Sequence, residues 1–288
     1  MKNIKNILVP TDFSDTARNA YHYAKRLALT LGAAVTVVNV NEYFVPVSDI
    51  IIGSITEDEV EDMSHEAMEA FIADEDGCDA WAMSKHKVKT QVLRGSVVDA
   101  LEELSLAEDV DLIVLGMTGK RNFNKIIGST ALELANKAHC PVILVPHEAK
   151  WHRLEKIMYA SSYLTASPTM IKEMSDFAVS VKADAHFVHI VDTPEEEENN
   201  VESMIWNQLY PMNDPRLTFR VHTIYAPDKI EELKKYAENH TVNLVSFVSK
   251  HRGFWENLVH RNITENIALS ADIPVMIMHL DDSNEVVN

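Results

Sequence analysis

The sequence is poor in cysteine and has no long apolar run. Its two cysteines, Cys78 and Cys140, form no CxxC pair and have no histidine cluster beside them, which argues against a disulfide framework or a structural zinc site. No apolar run approaches the roughly 18 residues that cross a bilayer. The opening MKNIKNILVP lacks the apolar stretch and cleavage site of a secretory signal. We therefore expect a soluble protein of the reducing cytoplasm that has no membrane partner.

Basic residues are also scarce. The 26 lysines and arginines stand against 44 aspartates and glutamates, which gives a formal net charge of −18. Binding to phosphate backbones depends on patches of lysine and arginine that release counterions, so a nucleic-acid partner is not expected. A small phosphorylated ligand is compatible with this charge, because screening leaves a local loop free to set its own potential and a divalent cation can compensate.

The chain contains an internal repeat. Its 288 residues are enough for two domains, and the segment that begins NILVPTDFS is echoed by one that begins KIMYASSYL at residue 156. Each copy reads as an apolar run, a helical stretch and a second apolar run. We expect one domain over residues 1–148, a second over 149–281 and a frayed tail over 282–288.

Apolar runs alternate with helical stretches in both copies, a pattern typical of an α/β protein with a doubly wound, mostly parallel five-stranded sheet and helices on both faces. After the NILVP run, the predicted strands of the first copy are 35–40, 88–93, 110–115 and 141–145, and its later helices are 56–73, 96–108 and 130–139. The second copy repeats this with strands at 217–224, 242–248 and 273–278 and helices at 229–239 and 263–270.

Glycines punctuate the segment DLIVLGMTGKRNFNKIIGSTALELANKAHCPVILVP. Gly116 and Gly119 would let an anionic ligand approach backbone amides. Gly128, Ser129 and Thr130 open a helix, whose unpaired N–H groups and dipole favour phosphate oxygens. A purely structural role is the alternative for these residues, since Thr130 with Glu133 would form a capping box and any strand-to-helix turn can need a glycine. Cys140, at the start of CPVILV, is expected to be a buried thiol.

Asp12 follows the first strand, in VPTDFS. It therefore lies at the carboxyl edge of the sheet, where open α/β folds bind ligands. There it would take ribose hydroxyls or a magnesium ion. The alternative is a capping role, because Asp12 and Ser14 also precede the first helix.

Together these motifs resemble the universal stress protein family, whose nucleotide-binding members carry GxxG, about nine residues, then G(S/T). The resemblance implies the adenine-nucleotide alpha-hydrolase-like fold with strand order 3-2-1-4-5, and ATP between the ends of strands 1 and 4. It implies that Pro10, Thr11 and Asp12 meet ribose and magnesium, and that Val40 meets adenine. The residues that would surround the phosphates are Leu115, Gly116, Thr118, Gly119, Gly128, Ser129 and Thr130.

The loop between Gly119 and Gly128 has eight residues, one fewer than the family pattern. This leaves ATP, AMP and other adenine nucleotides open as the ligand. The second copy departs further: Gly253 is the only glycine in that half, and the positions equivalent to Asp12 and the glycine motif carry Ser162, Ser249, Arg252, Arg261 and Asn262. Side chains there would block approach to the backbone, so we predict that only the first copy binds ATP.

No motif specifies catalysis, since the chain lacks a GxxxxGK(S/T) loop, a nucleophile elbow and a GxGxxG after the first strand. The sequence favours a stress-response protein that binds an adenine nucleotide and acts through regulation or interaction. The alternatives are an ATP-hydrolysing or adenylyl-transferring enzyme, at most a slow ATPase, and a scaffold whose loop is a relic. The resemblance further implies an internal pseudo-dimer of the two halves. It leaves a further homodimer open and identifies no protein partner.

Overall fold

A computed structural model describes residues 4–42, 57–73, 88–107, 109–117, 129–161, 167–191, 201–212, 214–249 and 273–279. In the first half, the elements are β1 (Asn6–Pro10), α1 (Asp15–Leu31), β2 (Ala34–Asn41), α2 (Glu57–Ile72), β3 (Val88–Arg94), α3 (Val97–Leu106), β4 (Leu112–Met117), α4 (Ser129–Lys137) and β5 (Val142–Pro146). In the second half, they are β6 (Lys156–Ser161), α5 (Pro168–Val181), β7 (Asp184–Val191), α6 (Val201–Met212), β8 (Phe219–Tyr225), α7 (Lys229–His240), β9 (Leu244–Ser249) and β10 (Val275–His279).

The strands form one 10-stranded sheet in the order β3-β2-β1-β4-β5-β10-β9-β6-β7-β8. Each half has the order 3-2-1-4-5 with parallel neighbours, so the predicted fold class is confirmed. The two five-stranded sheets are not separate, however. They join edge to edge where β5 and β10 pair antiparallel, with Val142 opposite Ile277 and Leu144 opposite Val275. This pairing gives each edge strand a hydrogen-bonding neighbour, which removes two exposed sheet edges.

Helices cover both faces of the sheet. One face packs α1, α2, α5 and α6 over a buried cluster that is continuous across both halves. The other face packs α3 and α4 over the first half and α7 over the second. The segment between the halves is also anchored, since the Trp151 ring lies edge-on to Tyr23 of α1 at a centroid distance of 4.8 Å. Among the described residues, no helix has the length and apolarity needed to cross a membrane.

Local signals explain most of the element boundaries. Ser14 caps α1, because its hydroxyl accepts a hydrogen bond from the Ala17 amide, and Gly32 ends that helix with the left-handed φ of 70° that glycine tolerates. Strand β4 begins at Leu112, two residues later than predicted. Helix α6 was not predicted from the sequence, and it contains Pro211 near its end. The predicted helix 263–270 and tail 282–288 lie outside the described residues.

In each half, the same arrangement of hydrogen bonds joins the first strand to the fourth. The Asp111 carboxylate, just before β4, accepts hydrogen bonds from the backbone amides of Lys5 and Asn6 at 2.7 and 3.0 Å. In the second half, Asn243 Oδ1 accepts from the amides of Glu155 and Lys156 at 2.9 and 3.0 Å. An oxygen acceptor at this position therefore holds β1 beside β4, and β6 beside β9, at the amino ends of the strands.

Candidate functional site

A cleft of about 360 Å³ opens at the carboxyl ends of β1, β2 and β4. Strand β1 pairs with β2 on one side and with β4 on the other, and β4 pairs with β5 beyond it. The connection after β1 therefore runs to one side and the connection after β4 to the other. Open α/β sheets form a crevice at such a switch point. The described lining residues are Pro10, Thr11, Asp12, Ser14, Thr16, Ala17, Val38, Asn39, Val40, Glu42, Val97, Leu101, Leu115, Gly116, Thr130 and Ala131.

The turn after β1 is fixed by hydrogen bonds. The Thr11 amide donates to the carbonyl oxygen of Val38 at 2.8 Å, and the Asn39 side-chain amide donates to the Thr11 carbonyl oxygen at 2.8 Å. Thr11 Oγ1 in turn accepts from the amide of Phe13 at 2.9 Å. These bonds join the turn to the end of β2, so the position of the residues that follow β1 is determined by the neighbouring strand.

Phe13 adopts a positive φ of 64°, which is uncommon for a residue with a side chain. Its ring packs edge-on against Phe71 of α2 at a centroid distance of 5.9 Å, and this packing holds the turn. Asp12, on one side of Phe13, is exposed at the cleft, and its Oδ1 accepts from the Ser14 amide at 3.0 Å. Asp12 thus supports the turn before α1, and the helix cap is Ser14.

Gly116 also has a packing role that the sequence did not indicate. A Cβ atom at this position would lie 2.6 Å from the carbonyl oxygen of Thr16, 2.8 Å from its carbonyl carbon and 2.9 Å from its Cγ2. The space that a side chain would occupy is therefore filled by the first turn of α1. Gly116 borders the cleft, but the missing side chain lets a helix pack closely on β4.

One wall of the cleft is apolar. Val38 and Val40 of β2 and Leu115 of β4 face Val97 and Leu101 of α3, and these residues belong to or pack against one buried cluster. Apolar walls with a few placed polar groups are typical of small-molecule sites. The wall suits a flat, uncharged ligand portion better than a charged one.

The structure brings most of the predicted site residues together. Those that line the cleft are Pro10, Thr11, Asp12, Val40, Leu115, Gly116 and Thr130. Thr118, Gly119 and Gly128 lie outside the described residues, and so does the side chain of Ser129, whose backbone begins α4. The capping box is not formed by Thr130, because it is the second residue of the helix, and the Glu133 carboxylate instead contacts Lys137 Nζ at 3.0 Å.

Sequence reasoning did not place four polar lining residues in the site: Ser14 and Thr16 at the start of α1, and Asn39 and Glu42 at the end of β2. Asn39 is buried, and its Oδ1 has no hydrogen-bond partner among the described residues. Glu42 adds a second carboxylate to that of Asp12, whereas the described lining contains no lysine or arginine. Asn39 and Glu42 lie at the end of β2, and the apolar run before them was the only available signal.

The equivalent region of the second half is largely undescribed. Ser162, Arg252, Arg261 and Asn262 lie outside the described residues, as does the side chain of Ser249 at the end of β9. The expectation that this half does not bind ATP stays a prediction. Cys140 is buried, as the sequence indicated, and burial raises the pKa of its thiol to about 12, so the thiol is not a reactive site.

The fold and cleft define a doubly wound α/β protein with an open crevice at its switch point. A model of the universal stress protein family matches residues 3–146. A universal stress protein of Methanocaldococcus jannaschii is 32% identical over 151 residues, which cover 51% of this chain and 84% of that protein. A universal stress protein of Thermus aquaticus is 30% identical over 145 residues, covering 49% and 98%. The chain belongs to the universal stress protein family.

A solved structure has a similar fold over nearly the whole length of this chain. It is the crystal structure of a universal stress protein from Archaeoglobus fulgidus, which is 15% identical to this chain. The match covers 97% of this chain and 99% of that one, with a TM-score of 0.72. This likeness concerns the fold, and it includes both halves.

Proposed function

We propose that the first half binds one adenine nucleotide in the cleft between β1 and β4, and that this nucleotide is ATP. The observation that supports this proposal best is the cleft itself. Its volume of about 360 Å³ falls within the roughly 300–1,000 Å³ of small-molecule sites. It also combines an apolar wall with exposed polar groups at the switch point of the sheet.

Each part of the cleft suits one part of a nucleotide. The apolar wall around Val40 accepts the base, with hydrogen bonds to the β2 backbone. Asp12 takes ribose hydroxyls or a magnesium ion held by the phosphates. The phosphates lie toward the N-terminus of α4, at Ser129 and Thr130, where free N–H groups and the helix dipole favour negative charge.

Magnesium has a specific part in this proposal. Asp12 and Glu42 both line the cleft, and the described lining supplies no basic side chain. Magnesium bound to a nucleotide commonly uses one or two carboxylates together with phosphate oxygens, so these two carboxylates fit the ion. When bound, it would offset the repulsion between the carboxylates and the phosphates. Chelation of magnesium is therefore expected to weaken ATP binding.

The protein then acts as a regulatory or interaction protein of the stress response, and nucleotide occupancy biases its contacts. The two halves form an internal pseudo-dimer, and the antiparallel pairing of β5 with β10 supports this arrangement. Incubation with labelled ATP tests the enzymatic alternative. Multiple turnovers would favour an ATPase or an adenylyl transferase, and ATP recovered intact would favour a binding protein.

Isothermal titration calorimetry with ATP and magnesium tests the proposed site. We expect one ATP per chain, and a 10- to 100-fold weaker affinity, on the order of the 1.5–3 kcal/mol of a charge-assisted hydrogen bond, for Asp12→Asn. Asp15→Asn is the matched control, because Asp15 is an exposed carboxylate of the same turn outside the cleft lining. Two ATP per chain, or equal losses in the two variants, would contradict the proposal.

A further inference from the structure

Three histidines and a tyrosine lie together at the outer edge of the second half. His186 comes from β7, His222 from β8, and Tyr236 and His240 from α7. The three imidazole centroids are 5.6–6.4 Å apart, and the Tyr236 ring stacks on His240 at 4.0 Å. We call these four residues the imidazole cluster. It connects α7 to the two outermost strands, far along the sheet from the nucleotide cleft.

The imidazole cluster has few polar contacts for so many ring nitrogens. His186 Nδ1 lies 2.9 Å from the Tyr236 hydroxyl, and His240 Nδ1 lies 2.9 Å from the carbonyl oxygen of Tyr236. The Nε2 atoms of His186 and His222 are buried, and neither has a hydrogen-bond partner in the part of the chain that the structure describes. A buried imidazolium needs an acceptor for each N–H group, and here the Nε2–H groups of His186 and His222 would lack one.

The charged groups around the cluster do not favour protonation either. Arg220 of β8 adds positive charge, and the Lys156 ammonium of β6 donates to the His240 carbonyl oxygen at 2.8 Å. Two carboxylates favour the protonated form: Asp184 raises the pKa of His186, and Glu202 raises the pKa of His222. Burial has the largest effect on the imidazole pKa values, and the neighbouring histidines and Arg220 act in the same direction. Together they lower the pKa of His186 to about 4 and that of His222 below its usual value.

No group of three metal-ligating side chains in the described ranges is placed to hold a metal ion. The chemistry that the imidazole cluster does offer is protonation. We propose that this cluster is an acid-responsive latch, closed at pH 7.5, which releases helix α7 from β7 and β8 when His186 and His222 take up protons. Once it opens, α7 becomes mobile while α1 of the first half stays packed on the sheet.

The direction follows from proton linkage. His186 has a lower pKa in the folded protein than when exposed, about 4 against 6.5, so the closed form binds fewer protons than the open form. Its stabilising contribution is present above pH 6.5 and is lost as the pH falls toward 4. For this one imidazole, lowering the pH from 7.5 to 5.0 raises the open population about 30-fold, and the coupled His222 adds to this in the same direction.

Hydrogen exchange measured by mass spectrometry on the full chain tests the latch. Exchange is recorded at pH 7.5 and pH 5.0 and expressed relative to intrinsic rates, for peptides of α7 and of α1. We expect the protection of α7 to fall about 30-fold or more at pH 5.0 in the wild type, and that of α1 to change little. In His186→Gln, which keeps a polar partner for Tyr236 but does not titrate, the fall should be below about fivefold.

His152→Gln is the matched control, because His152 is an exposed histidine outside the imidazole cluster, and it should behave as the wild type does. If His186→Gln already leaves α7 unprotected at pH 7.5, His222→Gln takes its place, with a pH response smaller than that of the wild type. The proposal is overturned if α7 of the wild type shows no acid response. It is equally overturned if the response is as large in the substituted proteins as in the wild type.

Discussion

Replacing Gly116 by alanine tests the close packing of α1 on β4. The added Cβ would lie 2.6 Å from the Thr16 carbonyl oxygen and 2.8 Å from its carbonyl carbon. Because both are backbone atoms in the first turn of α1, a side-chain rotation cannot relieve the contact, and the helix must move. Overpacking of this kind costs about 1–3 kcal/mol. Alanine also restricts the unfolded chain, which stabilises the folded protein by about 0.4–1 kcal/mol. We therefore expect the free energy of unfolding to fall by about 1–2 kcal/mol in total.

Gly32→Ala is the matched control. Gly32 ends α1, whereas Gly116 of β4 contacts the first turn of that helix. Gly32 has a φ of 70°, and no atom lies within 4 Å of the position that an added methyl group would take, so its substitution strains only the backbone. That strain costs about 1–2 kcal/mol, which makes the two variants similar in stability. They should differ in ATP affinity, because Thr16 and Ser14 line the cleft and only Gly116→Ala displaces them.

Urea denaturation followed by circular dichroism gives the stabilities, and calorimetry gives the ATP affinities. We expect both variants to unfold at lower urea concentration than the wild type, and only Gly116→Ala to bind ATP more weakly. A Gly116→Ala protein as stable as the wild type would refute the packing argument. Equal ATP affinities in the two variants would refute the link between α1 and the cleft.

Substitutions at two further positions test contacts that hold the architecture together. Asn19 Nδ2 donates to the carbonyl oxygens of Pro146, His147 and Ala149 at 3.0–3.2 Å, so Asn19→Ala should lower the free energy of unfolding by about 1–3 kcal/mol, and an unchanged urea midpoint would contradict this. Asn243→Leu should lose a similar amount, but Asn243→Asp should stay within about 0.5 kcal/mol of the wild type because a carboxylate oxygen is also an acceptor. Equal losses in the two Asn243 variants, again by urea denaturation, would show that the acceptor is not what matters there.

The elements of the fold could be predicted because their signals are local. The apolar face of α1, its Ser14 cap and its Gly32 end all lie within one stretch of sequence. The alternation of strands and helices was enough to predict a doubly wound sheet. Helix α6 was missed, because an acidic run precedes it and Pro211 lies within it, and both obscure the helical pattern.

The candidate site was predictable in part. Asp12 follows a predicted strand, and the carboxyl ends of parallel strands form one edge of the sheet, so its place at the cleft could be expected. Val40 was predicted only through the resemblance to the family. Asn39 lies inside the predicted strand and Glu42 shortly after it, and nothing in a single sequence distinguishes them from other polar residues at such positions. The polar character of the cleft at the end of β2 therefore emerged only from the folded arrangement.

The sequence by itself determined the repeat, the alternation of strands and helices and the glycine-marked turn, because these depend on spacing along the chain. Only the tertiary structure decided what fills the space beside Gly116, which edges of the two half-sheets pair, and that His186, His222 and His240 share one cluster. Those contacts join residues far apart in sequence, and their geometry is set by how helices and strands pack on one sheet.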